Sequence, residues 1–378
     1  MNKIRVATVF SGIGAVEFAL KRMNIPHEIV FACDTGEVEI EYDKEYEFSK
    51  IKNLNDPVEK MDYVNKLYYS KTRKHNFVKD TYLANYQIKN NLFFQDINLL
   101  DGTDFENKVD LFVGGSPCQS FSSVGFQKGL LDARGTLFYE FARLVKEIKP
   151  KVFIFENVRN MLKHDKGNTW EVIKTSFEDL GYEYDFKVLN ALNFNIPQKR
   201  NRLFVVGFDK KYGIKPNIPE KLNDKYESPN FCMQDFLLSH CSLGNFKHDN
   251  NGKIILISDY NYKVEDRYFL SDAIRNYVLK DGTKNWHQKV ETDLPIARTL
   301  LKTMGNCHRA GVDNYITEDG KLRMLTEREA LRLMGFTDDF VSPVSIAQTY
   351  KQAGNSIVVD VMMAILKDIF SKNIFVED

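Results

Sequence analysis

The sequence predicts an α/β protein with a mainly parallel sheet and a smaller, irregular second domain. Three features carry this expectation. Apolar runs of strand length alternate with amphipathic helical stretches over the first two hundred residues. Several of those runs stop at a turn bearing Gly, Asp or Glu. After Phe208 the apolar periodicity fades into a polar stretch rich in Asn, Lys and Asp. The length of 378 residues exceeds one ordinary domain and suits a large domain with a small one.

Val6-Ala7-Thr8-Val9-Phe10 is a short apolar run that breaks at Ser11-Gly12-Ile13-Gly14. Val16, Ala19, Leu20 and Met23 then recur at helical spacing. Ile29-Val30-Phe31-Ala32-Cys33 is a second strand, ending at Asp34. Residues 37–80 interrupt the pattern with Glu, Lys and Tyr. There Asp56-Pro57 opens a helix with proline in its first turn. Val58, Met61, Val64, Leu67 and Tyr68 mark one stripe, so a helical insertion is expected, read as a solvated surface appendage.

Leu111-Phe112-Val113 leads into Gly114-Gly115-Ser116-Pro117-Cys118. Leu137, Phe138, Phe141, Leu144, Val145 and Ile148 share a helix face, and Pro150 stops that helix. Val152-Phe153-Ile154-Phe155 runs up to Glu156, and Trp170, Ile173, Phe177 and Leu180 mark a helix ending near Gly181. Strands around Tyr184–Leu189 and Leu203–Val206 complete a first domain of residues 1–208. Such continuously apolar strands belong to a sheet covered on both faces. Residues 209–320 form the second domain, with β-like pieces such as Ile254-Ile255-Leu256-Ile257. Thr326-x-x-Glu329 is a capping box that opens a helix. The segment 321–378, with a last helix from about Ile357 to Phe370, is expected to return to the first domain.

Composition sets limits. Hydrophobic residues are 43% and charged residues 28% of the chain, as in a soluble globular protein. No apolar run approaches the ~18 residues of a membrane helix, and the first residues lead into a strand, so neither membrane nor signal peptide is expected. Five scattered cysteines without CxxC spacing argue against a disulfide scaffold or a metal site and for a reducing cytoplasm. Lys plus Arg (52) balance Asp plus Glu (52). A nucleic-acid partner would therefore need basic groups gathered on one face.

In an open parallel sheet, ligands bind at the carboxyl ends of the strands. Phe10 with the Gly12-x-Gly14 turn, Asp34, Cys118 and Glu156 all fall at such ends. Position 17 is Glu rather than the third glycine of a dinucleotide site, and there is no phosphate-binding P-loop. A nucleoside cofactor without pyrophosphate is favoured, with Glu17 placed to face a positive group and Asp34 to take ribose hydroxyls. Cys118 sits in a loop that breaks strand and helix propensity alike, which suits a nucleophilic thiolate better than a buried structural thiol. Glu156 ends an apolar strand, where desolvation raises a carboxyl pKa and lets it donate a proton. In Gln198-Lys199-Arg200-Asn201-Arg202, the two arginines alternate and would point the same way.

These residues resemble the C5-cytosine methyltransferases of bacterial restriction–modification systems. The likeness runs in family order through Phe10-Ser11-Gly12-Ile13-Gly14, Pro117-Cys118-Gln119, Glu156-Asn157-Val158, Gln198 to Arg202, Arg323 to Glu329 and Gly354-Asn355-Ser356. It covers about 1–36, 92–208 and 322–370. The implied fold is the Rossmann-like fold of S-adenosylmethionine-dependent methyltransferases, with residues 209–320 as a target-recognition domain.

By resemblance, Cys118 adds to carbon 6 of a cytosine flipped out of the duplex, Glu156 serves ring N3, and Arg202 with Arg200 holds O2. Phe10, Gly12, Gly14, Asp34, Asp96, Ile97, Pro117, Asn355 and Ser356 would hold S-adenosylmethionine. Asp96 and Ile97 would lie at the adenine edge. Gln119, Arg298 and Arg309 would contact double-stranded DNA, with Asn306 and Asn314 as further candidates. The resemblance also implies a monomer that works in the bacterial cytoplasm without metal, and a cognate restriction endonuclease as partner. Two departures bear on the cofactor: Asp34 stands where the family usually has Glu, and Thr35 where it often has an aromatic residue. A transfer-RNA cytosine-5 methyltransferase and a catalytically silent DNA-binding module are the other readings.

Overall fold

Strands β1 (Ile4–Val9), β2 (His27–Cys33), β3 (Phe93–Phe94), β4 (Leu111–Gly114), β5 (Val152–Val158), β6 (Tyr182–Asn190) and β7 (Asn201–Asp209) form one open sheet in the order β3-β2-β1-β4-β5-β7-β6. The computed structural model describes residues 3–116, 137–222 and 229–375, with 281, 284, 285, 288, 289, 307, 309 and 310 excepted. The first five strands pair in parallel, and β7 runs antiparallel to both β5 and β6. Only a single 3-10 turn, Ala191–Phe194, lies between β6 and β7, so the chain turns straight back. The chain steps outward from β1 to β3 and restarts at β4 on the other side of β1. A crevice therefore opens between the carboxyl ends of β1 and β4.

Ten helices are described: α1 (Ala15–Arg22), α2 (Lys44–Lys52), α3 (Pro57–Lys71), α4 (Phe77–Asn85), α5 (Leu137–Ile148), α6 (Asn168–Asp179), α7 (Asp272–Val278), α8 (Glu327–Arg332), α9 (Ile346–Asn355) and α10 (Val359–Ser371). α5 and α6 match the predicted apolar periodicities, and α10 covers the span expected for the last helix. The sheet core is unusually aromatic: Phe112 stacks on Phe141 at 5.2 Å and Phe153 on Phe177 at 4.8 Å. α10 returns against α1, where the fully buried Arg22 pairs with Asp360 and donates to the carbonyls of Gly335 and Gly252. The predicted capping box forms, Thr326 Oγ1 accepting from Glu329 N and Glu329 from Thr326 N. Glu329 also forms a buried ion pair with Arg323 at 2.9 Å.

The insertion is not the solvated appendage that its polar composition suggested. Ile51, Val64 and Tyr68 close a small core with Val38 and Leu99. The Lys60 ammonium is buried between Asp101 (2.9 Å) and Asp104 (2.8 Å). Val58 drops out of the predicted stripe and is exposed. Polar side chains here satisfy one another under the surface, which composition does not reveal.

Residues 209–320 hold short hairpins, β8 (Phe246–His248) with β9 (Ile254–Leu256) and β10 (Gly282–Thr283) with β11 (Trp286–His287). A third, β12 (Tyr315–Glu318) with β13 (Lys321–Met324), crosses the expected boundary at 320. Small clusters form around Leu238, Val264 and Tyr268, and around Val278, Tyr315 and Leu322. Met233, Phe236, Cys241 and Phe246 instead join the main core, and Arg332 holds the carbonyls of Phe236 and Cys241.

Candidate active site

β1 is followed at once by Phe10, a non-glycine residue held left-handed at φ 53°. Such a conformation costs about 1–2 kcal/mol, and it places Phe10 along the crevice wall. Gly12 follows at φ +54° with open space where a Cβ would stand. At Gly14 (φ +77°) a Cβ would lie 2.2 Å from the Tyr86 ring, so only glycine lets the turn settle on that tyrosine. The crevice has about 460 Å³ of empty space. Residues 8–12, 15, 16, 113–115, 156 and 355–357 line it, so Phe10, Gly12, Glu156, Asn355 and Ser356 meet in one place.

Asp34 closes the turn from behind. Its Oδ2 accepts from Gly12 N and its Oδ1 from Gly36 N, both at 2.8 Å. Burial raises its carboxyl above the usual range, against the pull of those two N–H donors. A carboxylate has about four lone-pair sites, so Asp34 keeps acceptor sites beyond these two bonds. Asp96 differs. Its Oδ1 accepts from Asn98 N and Nδ2, both at 2.9 Å, and its Oδ2 from Tyr42 (2.5 Å) and Tyr68 (2.8 Å). Four donors from the protein thus gather on the Asp96 carboxylate, which the sequence placed at the adenine edge. Ile97 is 3% exposed and its carbonyl accepts from Arg143. Glu17 also departs from expectation. It is fully buried and does not line the crevice; Thr8 and Tyr82 both donate to its Oε1, and its Oε2 has no partner. Burial raises its carboxyl.

Glu156 stands in β5 opposite Phe204 of β7, and Arg202 opposite Val158. This diagonal brings the Arg202 Nε to 3.2 Å from Glu156 Oε1. Burial raises the Glu156 carboxyl, and the Arg202 and Arg200 charges oppose that shift. A Cβ on Gly115 would lie 2.8 Å from Glu156 Oε2, so the second glycine of Gly114-Gly115 is what admits the carboxyl. The next residue, Ser116, is held by Asn157, whose Nδ2 donates to the Ser116 carbonyl at 2.9 Å. Pro117, Cys118 and Gln119 lie outside the described residues. Asn157→Ala would strand the buried Ser116 carbonyl. It is expected to cost about 1–3 kcal/mol in urea unfolding and to slow turnover more than it weakens cofactor binding.

Arg200 is not placed beside Arg202 to serve a substrate. Its guanidinium is buried, donating to the carbonyls of Leu300 (3.0 Å), Gly354 (2.9 Å) and Ser356 (2.8 Å), and burial pulls its pKa down to about 9. It therefore positions the 354–356 turn across the crevice. Gly354 crosses the 301–302 backbone so closely that a Cβ would lie 2.4 Å from Lys302 N. Arg200→Met is expected to lose roughly 3 kcal/mol or more of stability, since three bonds to a charged donor vanish together; chemical denaturation measures it.

Asn355 Nδ2 donates to Glu37 Oε1 at 3.1 Å, and Ser356 is 6% exposed. Arg298, expected on DNA, is turned inward. It donates to the carbonyls of Glu291 and Asp313, and Asn314 brackets its backbone. Asn306 is exposed, and Arg309 lies outside the described residues. Asn157 and Tyr42 were assigned no role from sequence, and Tyr68 only a place in the apolar stripe of its helix. Only the run of tyrosines in a polar insertion hinted at the last two.

This sheet order, with its reversed seventh strand and its crevice at the switch between β1 and β4, defines the S-adenosylmethionine-dependent methyltransferase fold. Residues 4–371 match the family described as C-5 cytosine-specific DNA methylase, and the chain belongs to that family. It is 34% identical over 303 residues to the type II methyltransferase M.SsoII of Shigella sonnei, covering 78% of this chain and 72% of that one. It is 36% identical over 265 residues to M.HhaI of Haemophilus parahaemolyticus, covering 69% and 76%. The S. pombe Dnmt2 methyltransferase structure superposes with a TM-score of 0.66 at 18% identity, covering 98% of this chain and 99% of that one, a likeness of fold. Among the described residues, no group of three or more His, Cys, Asp or Glu could hold a metal ion, and no helix is long and apolar enough to cross a membrane.

Proposed function

We propose that this protein methylates carbon 5 of a cytosine flipped out of a specific duplex DNA site, using S-adenosylmethionine and a covalent Cys118 adduct. One observation carries the reading. The Glu156 carboxyl, raised by burial and held beside Arg202, fills the space a Cβ on Gly115 would take, and Cys118 comes three residues later in the sequence, after Ser116 held by Asn157.

Cytosine carbon 5 is a weak nucleophile. The Cys118 thiolate adds to carbon 6, and the electron pair of the 5,6 double bond moves toward the ring carbonyl and N3. Glu156 gives its proton to N3, while Arg202 faces O2, so the added charge is neutralised. After methylation a base takes the carbon-5 proton, the 5,6 double bond re-forms, the thiolate leaves, and N3 returns its proton to Glu156. Flipping is required because none of these groups can reach carbon 6 inside the stack.

The residues present fit the cofactor. Gly12 leaves open space where any other residue would put a Cβ, and Asp34 keeps acceptor sites behind the turn. Phe10, Asp34, Asn355 and Ser356 would hold it, with Gly14 and Pro117 shaping its surroundings. When bound, S-adenosylmethionine supplies an electrophilic methyl group on a positive sulfur.

Residues 1–208 with 321–378 would serve as the catalytic part and 209–320 as the target-recognition domain, acting in the cytoplasm as a monomer. A cognate endonuclease would cut the same site when unmethylated. Bisulfite sequencing of DNA from cells expressing the protein tests the reading. Protected cytosines at one recurring sequence are expected; uniform conversion would overturn it.

A further inference from the structure

The insertion opens on a strained residue. The Val38 N–H donates to the Thr35 carbonyl at 3.1 Å, closing a four-residue turn directly after Asp34. Both central residues, Gly36 (φ 62°) and Glu37 (φ 58°), are left-handed. Such a turn favours glycine at its second central position, and a glutamate there is strained. Asn76 packs beneath the turn and donates to the Asp34 carbonyl at 2.8 Å, in the space a Cβ on Gly36 would need.

The strained backbone aims a carboxylate that three segments share. Glu37 Oε1 accepts from Asn355 Nδ2 at 3.1 Å and from Lys302 Nζ at 3.2 Å, and its Oε2 from Lys351 Nζ at 2.7 Å. Burial alone would raise this carboxyl; the bonds from Lys351 and Lys302 outweigh it and hold it below its ordinary value of 4.5. Arg200 already ties Leu300 to Gly354 and Ser356 through their carbonyls. Glu37 ties both of those segments to the turn that follows Asp34. A carboxylate only accepts, so Asn355 offers it Nδ2 and keeps Oδ1 for the crevice that it lines. Half-exposed ion pairs add little to folding. Strain kept for so small a gain in stability points to a use at the crevice.

We propose that Glu37 is a positioning residue, whose carboxylate orients Asn355 and holds the 354–356 turn in place across the crevice from Asp34. The proposal rests on the S-adenosylmethionine reading above. Glu37 acts on the ligand through Asn355, without touching it.

Calorimetric titration of the full chain with S-adenosylhomocysteine, together with thermal melting, tests it. Glu37→Gly removes the carboxylate and relieves the turn. It is expected to melt at or above the wild-type temperature, because glycine adopts this conformation freely. It should nevertheless bind the ligand about tenfold more weakly. Asn355→Ala should lose a similar factor, and the double variant no more than Asn355→Ala alone, since one side chain acts through the other. In methyl transfer to mixed-sequence DNA, Glu37→Gly should raise the KM for S-adenosylmethionine and leave kcat within about twofold. Wild-type affinity in Glu37→Gly overturns the proposal, as do losses that simply add in the double variant, whatever the melting temperature. A wild type that binds no S-adenosylhomocysteine overturns the cofactor reading itself, and the Glu37 proposal with it.

Discussion

Cys118→Ser is expected to reduce methylation by about 10⁴-fold or more, while S-adenosylhomocysteine still binds with near wild-type affinity. A hydroxyl at this position is almost wholly protonated near neutral pH, whereas a thiol is partly ionised and its sulfur is far more nucleophilic. Removing the nucleophile of a covalent mechanism removes a whole step, so the loss is large and does not add to other losses. The crevice residues Phe10 and Gly12, with Asp34 bonded behind them, do not depend on it, which is why cofactor binding should survive. Two measurements check this: transfer of labelled methyl to DNA, and calorimetric titration of the same preparation. DNA carrying 5-fluorocytosine adds a third readout. Its carbon-5 fluorine cannot leave as a proton does, so the wild type should be trapped as a species resistant to denaturing gels and the serine protein should not. Retained turnover in Cys118→Ser would remove the thiol from the mechanism.

Glu156→Gln is expected to lower the maximal rate by about 10²–10⁴-fold, the range for a positioned acid. The amide can still donate a hydrogen bond to ring N3 but cannot release a proton. Burial raises the wild-type carboxyl above its ordinary value of 4.5, which extends its protonated fraction toward neutral pH, while Arg202 and then Arg200 pull the other way. The sign follows. An acid that must be protonated to work loses activity as pH rises through its raised pKa. The wild-type rate should therefore show a descending alkaline limb that the glutamine protein lacks. A limb that persists in Glu156→Gln would belong to another group, and the assigned acid would be wrong.

Much of the catalytic half could be read along the chain because its residues sit at strand ends. Phe10 and Asp34 come directly after β1 and β2, Glu156 sits in the last residues of β5, and apolar runs that stop at Gly, Asp or Glu are visible in one dimension. α5 and α6 were equally open to reading, since their buried faces repeat with helical period. Side-chain partnership was hidden. The alternation of Arg200 and Arg202 suggested two equivalent cations, yet one pairs with Glu156 and the other holds three carbonyls from two distant segments. Arg298 looked like a DNA contact because a lone arginine in a polar stretch resembles a free one; carbonyls brought by folding claimed it.

Local order alone thus settled the alternating α/β framework, the glycine turn after β1, and the carboxylic acid at the end of β5. Each depends on residues within a turn or two of one another. Tertiary structure decided what depends on distant meetings: Asn355 and Ser356 beside Phe10, Asn157 under Ser116, and the insertion's tyrosines on Asp96. A hydrogen bond extends about 3 Å, and which donor comes within that reach of which acceptor is decided only when the whole sheet and its covering helices have packed.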